Sequence, residues 1–362
     1  MSSTFGEKIK MTIFGESHGP AIGLVIDGLP AGLKLDQAAI KKELDRRAPG
    51  KNSFSTARRE KEEYRIESGL FEERTTGMPL CVLIPNTDAH SSDYSILKQV
   101  MRPGHGDYPG YVKYGGFNDY RGGGAFSGRL TAPLVFMGAV AKQLLAKEKI
   151  SVGAHIASIG AVQDTPFNPL GEKPKLLQKL STMTLPTLSD VAGEEMATVI
   201  QQAREAKDSV GGTIECMTCG IPVGLGEPYF DSVESRLAHV LFSVPAVKAV
   251  EFGKGFALST MQGSSANDGF KMDKGKVKAT TNNNGGILGG LTTGMPIVFK
   301  VGIKPTSSIG LPQKTINVVE KKNTVLEIQG RHDPCIVPRA IPVIEAVTAW
   351  TILDLYYMAK GS

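Results

Sequence analysis

An α+β fold is the class this 362-residue sequence predicts, on three observations. Several stretches carry apolar residues at helical spacing. Between them lie short β-rich runs bounded by Gly, Pro, Asn and Asp. Finally, TTGMPL at 75–80 recurs as TTGMPI at 292–297, each copy after a glycine-headed turn and before a β-run. That echo reads either as a chance recurrence of a glycine turn before a strand or as two related halves in a layered arrangement about a pseudo-twofold.

The elements follow in chain order. MTIF and IGLVID read as the first strands. Asp36 is the expected N-cap of DQAAIKKELDRR, which ends on Arg46–Arg47 before Pro49–Gly50. YRIES and PLCVLI are further strands, and an apolar-faced helix is expected over 132–147. The segment 161–188, rich in Pro, Lys and Thr, reads as a surface excursion. A helix over 189–207 follows, then the strands GTIECM and PIVFKVGI. A last helix over 341–360, apolar all round Trp350, should be buried. No low-complexity linker divides the chain, so 1–362 reads as one domain.

Composition narrows the function. Hydrophobic residues at 41% and charged residues at 21% exclude bulk disorder. Lys+Arg 41 against Asp+Glu 36 gives +5, too weak a charge to indicate a nucleic-acid or membrane binder. Basic runs with interleaved aromatics are also missing. The N-terminus has no secretory pattern, and the longest apolar run, Leu130 to Ala141, is too short for a bilayer. A cytoplasmic protein is expected. Cys216 and Cys219 form a CxxC without a second pair or nearby histidines, so structural thiols are expected and no metal site. Glycine is the outlier: 42 residues of 362, about 12% against roughly 7% on average. No period of three makes it collagenous.

Four glycine-rich segments hold residues able to bind or move charge. In GESHGPAIGLVIDGLP, His18 stands between glycines after a strand, placed to protrude from a turn. Alone, Ser17–His18 reads equally as a satisfied loop pair. In RPGHGDYPGYVKYGGFNDYRGGGAFSGR, His105 has Arg102 and Asp107 beside it, and Arg121-GGG leads to Ser127 and Arg129 at the mouth of a helix. Such glycines let backbone N–H groups approach an anion, and arginine adds paired donors. After PIVFKVGI, Lys304 with Thr306, Ser307 and Ser308 offers a cation and three hydroxyls to a phosphate. The GxxxxGK[ST] pattern is absent, which disfavours triphosphate hydrolysis. In GRHDPCIVPRAIP, Asp333 lies between Arg331 and Arg339, where a carboxylate stays ionised and can act as a base. The same residues could form a plain salt bridge.

Together these segments resemble the chorismate synthase family. GESHG with DGLP, RPGHGDY…DYRGGG…S-x-R, GLGEPYFDS, NNNGGILGG, KPTSSI and GRHDPC with R-A-I-P match its signature regions in order, from Phe14 to about Tyr357. The resemblance implies a β-α-β sandwich with helices packed between sheets, assembled as a homotetramer. It implies a lyase of the shikimate pathway, converting 5-enolpyruvylshikimate 3-phosphate to chorismate by 1,4-anti elimination. Reduced FMN is required although there is no net redox change, with NADPH as reductant if the enzyme is bifunctional. The substrate carries a phosphate and two carboxylates, and Arg47, Arg102, Arg129, Arg331 and Arg339 match the family's anion-binding positions. His18 matches the histidine that protonates reduced flavin, and His105 the one near the departing phosphate. Asp333 matches the carboxylate that takes the proton of flavin N5, and Ser127 a serine of the same network. Flavin contacts carry over to Ala246, Gly289, Lys304, Pro305, Thr306, Ser307, Ser308 and Arg331. The chain departs from the pattern at Ala125, Phe126, Ser53 and Pro245, which bears on flavin affinity. A non-catalytic binder of phosphorylated ligands would be expected to lose His18, His105 or Asp333 first, and all three are present.

Overall fold

The computed structural model describes residues 3–50, 62–87, 96–328 and 333–361. Two five-stranded sheets, antiparallel at every pairing, flank a layer of helices. The first has the spatial order Thr4–Phe5, Lys10–Gly15, Ala21–Asp27, Leu80–Pro85, Arg65–Ser68. The second runs Val162–Gln163, Ser151–Ile159, Gly212–Cys219, Ile297–Ile303, Val247–Phe252.

The longer core helices fill the space between the sheets. Helix α1 (Gln37–Arg47) begins at Asp36, whose carboxylate accepts from Ala39 N at 2.9 Å, as its sequence predicts. Helix α2 (Asp107–Lys113) follows the RPGHG turn, and α3 (Thr131–Lys147) starts just past Arg129. Helices α4 (Pro174–Leu180) and α5 (Asp190–Glu205) both pack on the second sheet's Ser151–Ile159 strand, α5 also on Val162–Gln163. Helix α6 (Val233–Ser243), a single-turn α7 (Gly263–Ala266) and α8 (Val337–Lys360) complete the set. The last helix starts earlier than its apolar period suggests. Pro338 suits a first turn, whose N–H groups have no intrahelical partner, and Pro342 forgoes one later bond.

One continuous core joins the layers. Ile22 and Leu24 of the first sheet, Val135 and Phe136 of α3, Val347 and Trp350 of α8, and Ile214 and Phe299 of the second sheet are all buried in it. Burial of so many side chains, each contributing about 1.5–3 kcal/mol, holds the sandwich together. Helices α3 and α8 cross so closely that a Cβ on Gly138 would lie 2.2 Å from Ala346 Cα.

The segment 161–188 covers the far face of the second sheet, where Phe167, Leu177 and Leu180 bury against Met217 and Val298. His155 there is fully buried between Asp164 (Nδ1···Oδ2, 2.9 Å) and Glu215 (Nε2···Oε2, 2.9 Å). The thiols of Cys216 and Cys335 are buried, and no group of metal-binding side chains occurs among the described residues. None of the described helices is long and apolar enough to cross a membrane.

The TTGMP echo marks a structural repeat. Thr75 Oγ1 donates to Pro30 O (2.5 Å) and accepts from Leu33 N (2.9 Å). Thr292 Oγ1 donates to Pro222 O (2.7 Å) and accepts from Leu225 N (2.9 Å). The segments so joined are themselves alike, GLPAGL at 28–33 and GIPVGL at 220–225. Around these joints the central strands correspond: Ala21–Asp27 pairs with Leu80–Pro85 as Gly212–Cys219 pairs with Ile297–Ile303.

Candidate active site

The site is built where the RPGHG turn, the RGGG run and the loop after Ile297–Ile303 meet. Gly122, Gly123 and Gly124 all have positive φ (57°, 85° and 51°), conformations L side chains rarely adopt. Two of them face histidines. A Cβ on Gly122 would lie 2.1 Å from His18 Cε1, and one on Gly123 would lie 3.2 Å from His105 Nε2. The imidazoles of His18 and His105 therefore rest on successive glycines. Ser17 Oγ lies 3.2 Å from His18 Nδ1.

His105 is oriented by Asp107, whose Oδ1 is 2.6 Å from Nδ1. Arg102 grips the same carboxylate with Nε (2.7 Å) and Nη2 (2.8 Å). Burial opposes ionisation of Asp107, but the hydrogen bonds and charges of Arg102 and His105 outweigh it and hold the carboxyl far below its usual range. An ionised carboxylate only accepts, so Nδ1 carries the hydrogen and Nε2 points at the glycines. The 3.1 Å between Arg102 Nη2 and His105 Nδ1 is then an approach of two donors sharing Oδ1.

Arg102 also reaches the loop 304–308, donating from Nη1 to Ser308 Oγ at 3.2 Å. Lys304 Nζ bonds to Gly104 O, and a Cβ on Gly104 would stand 3.6 Å from both that ammonium and Ser307 Cβ. Thr306 Oγ1 donates to Asp333 O (3.0 Å), and the Asp333 carboxylate pairs with Arg339. Arg339 Nε in turn donates to Arg47 O at 3.1 Å. Pro305 packs against Gly211, where a Cβ would meet its Cδ at 3.0 Å. Ala246 is held at φ 72°, strained for a residue with a Cβ, and its carbonyl accepts Lys304 N at 3.0 Å.

A second centre adjoins these. The Glu62 carboxylate, with no exposed surface, binds Arg47 Nη1 through Oε1 (2.5 Å) and Arg129 Nη1 through Oε2 (2.6 Å). Arg47 further donates to Thr131 Oγ1 and Gly128 O, and Arg129 to Asn86 Oδ1 and Pro85 O. Ser127 Oγ accepts from Arg129 N at 3.3 Å, starting the turn that leads into α3.

The chain's relatives share this arrangement's sequence almost end to end. A family model described as chorismate synthase matches residues 9–357. The chain belongs to the chorismate synthase family. With the family come the enzyme class, a lyase, and a place in aromatic amino-acid biosynthesis. The chain is 46% identical to the chorismate synthase of Dehalococcoides mccartyi over 355 residues, 98% of this chain and 96% of that one. Chorismate synthases of Methanocella arvoryzae and Thermococcus gammatolerans are each 47% identical, covering 97% and 96% of this chain and 93% and 96% of theirs. A crystal structure of chorismate synthase matches with a TM-score of 0.76 at 28% identity, over 99% of this chain and 94% of that chain.

Of the residues expected from chorismate synthase motifs, His18, His105, Arg102, Lys304, Pro305, Thr306, Ser307, Ser308, Asp333, Arg339, Arg47, Ser127, Arg129 and Ala246 form the linked set above. Arg331 and Ser53 lie outside the described residues. Gly289 is not with them. Its hairpin, Ile287–Leu288 with Leu291–Thr292, meets the start of α6 through Gly290 O and Val233 N (3.0 Å), whereas Ala246 follows the end of that helix. Eleven helical residues, roughly 16 Å, separate the two places. Two residues without an expected role emerge. Asp107 was visible two positions after His105, whereas Glu62 sits in the charged run REKEE, which reads as solvated surface. The departure at Phe126 has a packing consequence. Its ring covers α2, where a Cβ on Gly110 would lie 2.5 Å from Cε2 and one on Gly106 would lie 3.0 Å from Cγ.

Proposed function

We propose that the chain catalyses the 1,4-anti elimination of phosphate from 5-enolpyruvylshikimate 3-phosphate, giving chorismate, with reduced FMN as cofactor. The observation that carries this reading is the seating of His18 and His105 on Gly122 and Gly123, with Arg102 tying them to the 304–308 loop. A cation and three hydroxyls within one short loop, with Lys304 and Ser307 against Gly104, fit the phosphate of a flavin mononucleotide, so Lys304, Thr306, Ser307 and Ser308, with Pro305 and Ala246, would hold it. Reduced FMN, when bound, supplies an electron that is returned at the end of the turnover, as an elimination without net redox change requires.

The chain's own groups do the rest. Arg47, Arg102, Arg129 and Arg339 bind and orient a substrate with three anionic groups. His105, held by Asp107 through Nδ1–H, turns Nε2 to the departing phosphate and donates from it as the doubly protonated imidazolium. His18 holds a proton at the flavin edge. Asp333, fixed by Arg339 and close to Thr306, receives the proton at the other end of the cycle, with Ser127 in the same network. Cytoplasmic location and a homotetramer belong to this reading.

An anaerobic assay with the substrate and chemically reduced FMN tests the reading directly; no chorismate would sink it. A parallel run with oxidised FMN and NADPH tests whether the chain reduces its own flavin. Asp333→Asn should leave substrate and flavin binding intact and lower kcat by about 10²–10⁴-fold. Wild-type turnover in that variant would remove Asp333 from the base role.

A further inference from the structure

We infer that Glu62 is a positioning residue of the anion pocket, a buried carboxylate that aligns Arg47 and Arg129 for substrate; the inference rests on the proposed role of those two arginines. The two guanidiniums come from different elements, the last turn of α1 and the turn before α3. Among the described residues, neutral acceptors also hold each of them: Thr131 Oγ1 and Gly128 O for Arg47, Asn86 Oδ1 and Pro85 O for Arg129. Among the described residues Glu62 joins them, giving one oxygen to each at 2.5 and 2.6 Å. A bidentate grip on one arginine would abandon the other. The split keeps the two cations side by side despite their repulsion and fixes the direction of both planar forks. With no exposed surface, the carboxylate is out of reach of solvent screening, so the alignment is strongly enforced. Burial opposes its charge, but Arg47 and Arg129 outweigh that and keep it ionised.

Glu62→Gln preserves shape but replaces one acceptor oxygen by an amide NH₂, which donates. One arginine keeps its partner and the other faces a donor. Glu62→Asp keeps the charge on a stem one methylene shorter, which cannot reach both arginines. The full-length enzyme, with reduced FMN under anaerobic conditions, should show KM for 5-enolpyruvylshikimate 3-phosphate raised about tenfold in E62Q, equivalent to about 1.4 kcal/mol. E62D should raise it about threefold, and kcat should change less than about threefold in either. A merely structural role would lower the amount of active enzyme and leave KM where it was. Wild-type KM in whichever variant folds, judged by circular dichroism and gel filtration, overturns the inference. So does failure of both to fold, which would assign Glu62 to folding alone. R47K and R129K separate the premises. If both retain wild-type KM, the anion-pocket reading itself fails; if they raise KM while E62Q does not, only the role of Glu62 fails.

Discussion

Asp107, the first residue of α2, does two things with one carboxylate: it sets the tautomer of His105 and holds both Nε and Nη2 of Arg102. The pairing costs little to build because all three groups lie within five residues of Arg102, and the chain between them is a tight glycine turn. Asp107→Asn keeps the size but lets the side chain donate, so His105 loses its enforced Nδ1–H and Arg102 loses a buried ionic partner. The expected outcome is a fall of roughly 10²-fold in kcat/KM, with bound substrate still detectable by calorimetry. Nitrogen NMR of His105 would show the mixture of tautomers directly, and an unchanged tautomer would refute this account. The two unforeseen residues differ in legibility for a physical reason. Asp107 sits beside its partner in sequence, so a local motif exposes it. Glu62 owes its burial to Arg47 and Arg129, each delivered by a distant element, and nothing in REKEE distinguishes it from a solvated charge.

Element by element, local signals worked where local physics dominates. Asp36 and Ser189 cap α1 and α5 as their side chains suggest, and the β-rich runs from MTIF to PIVFKVGI all lie in the two sheets. The echo at 75–80 and 292–297 was readable because each copy performs the same task, with a buried threonine hydroxyl tying a strand to a GxPxGL turn. Tertiary contact decided the rest. The segment 161–188, read as an excursion, gains α4 because Leu177 and Leu180 find Phe167 and Met217 to bury against. The α3–α8 crossing gives an element-scale prediction. Gly138→Ala places a methyl against the backbone of Ala346, where nothing flexible can yield, and should destabilise the fold by about 1–3 kcal/mol. Urea unfolding measures this; an unchanged midpoint would mean the helices separate more easily than their packing implies.

For the whole molecule, the buried charges set a pH range. Glu345, fully enclosed, is opposed by burial but held down to about 2 by Arg46 and Lys142, with Arg46 Nη1 at 2.6 Å and Lys142 Nζ at 2.6 Å. Glu62 and Asp107 are depressed likewise. Folded values below unfolded ones mean that this stability is present above about pH 4.5 and is lost as pH falls through the folded values. His155 acts in the opposite sense. Burial resists its charge, but Asp164 and Glu215 outweigh that and raise it, so its contribution is present below about pH 6.5 and lost as pH rises through the folded value. Denaturant midpoints should therefore peak between these limits and fall steeply on the acid side, by up to about 1.4 kcal/mol per pH unit for each carboxylate. In His155→Gln the alkaline decline should flatten, and an alkaline limb identical to wild type would exclude His155 as its source.

The glycine surplus, the two histidines, the phosphate-type loop and the twofold echo were determined by the sequence alone, because each is a short-range pattern whose chemistry its own neighbours reveal. Where those patterns meet was decided by the tertiary structure. Gly122 and Gly123 find His18 and His105 only after the first sheet and the RPGHG turn fold together. Glu62 becomes a bridge only when α1 and the turn before α3 bring two arginines to it. Gly289, alike in motif, ends at the far end of α6. Spacing along a chain does not encode proximity between elements; the packing of the shared core does.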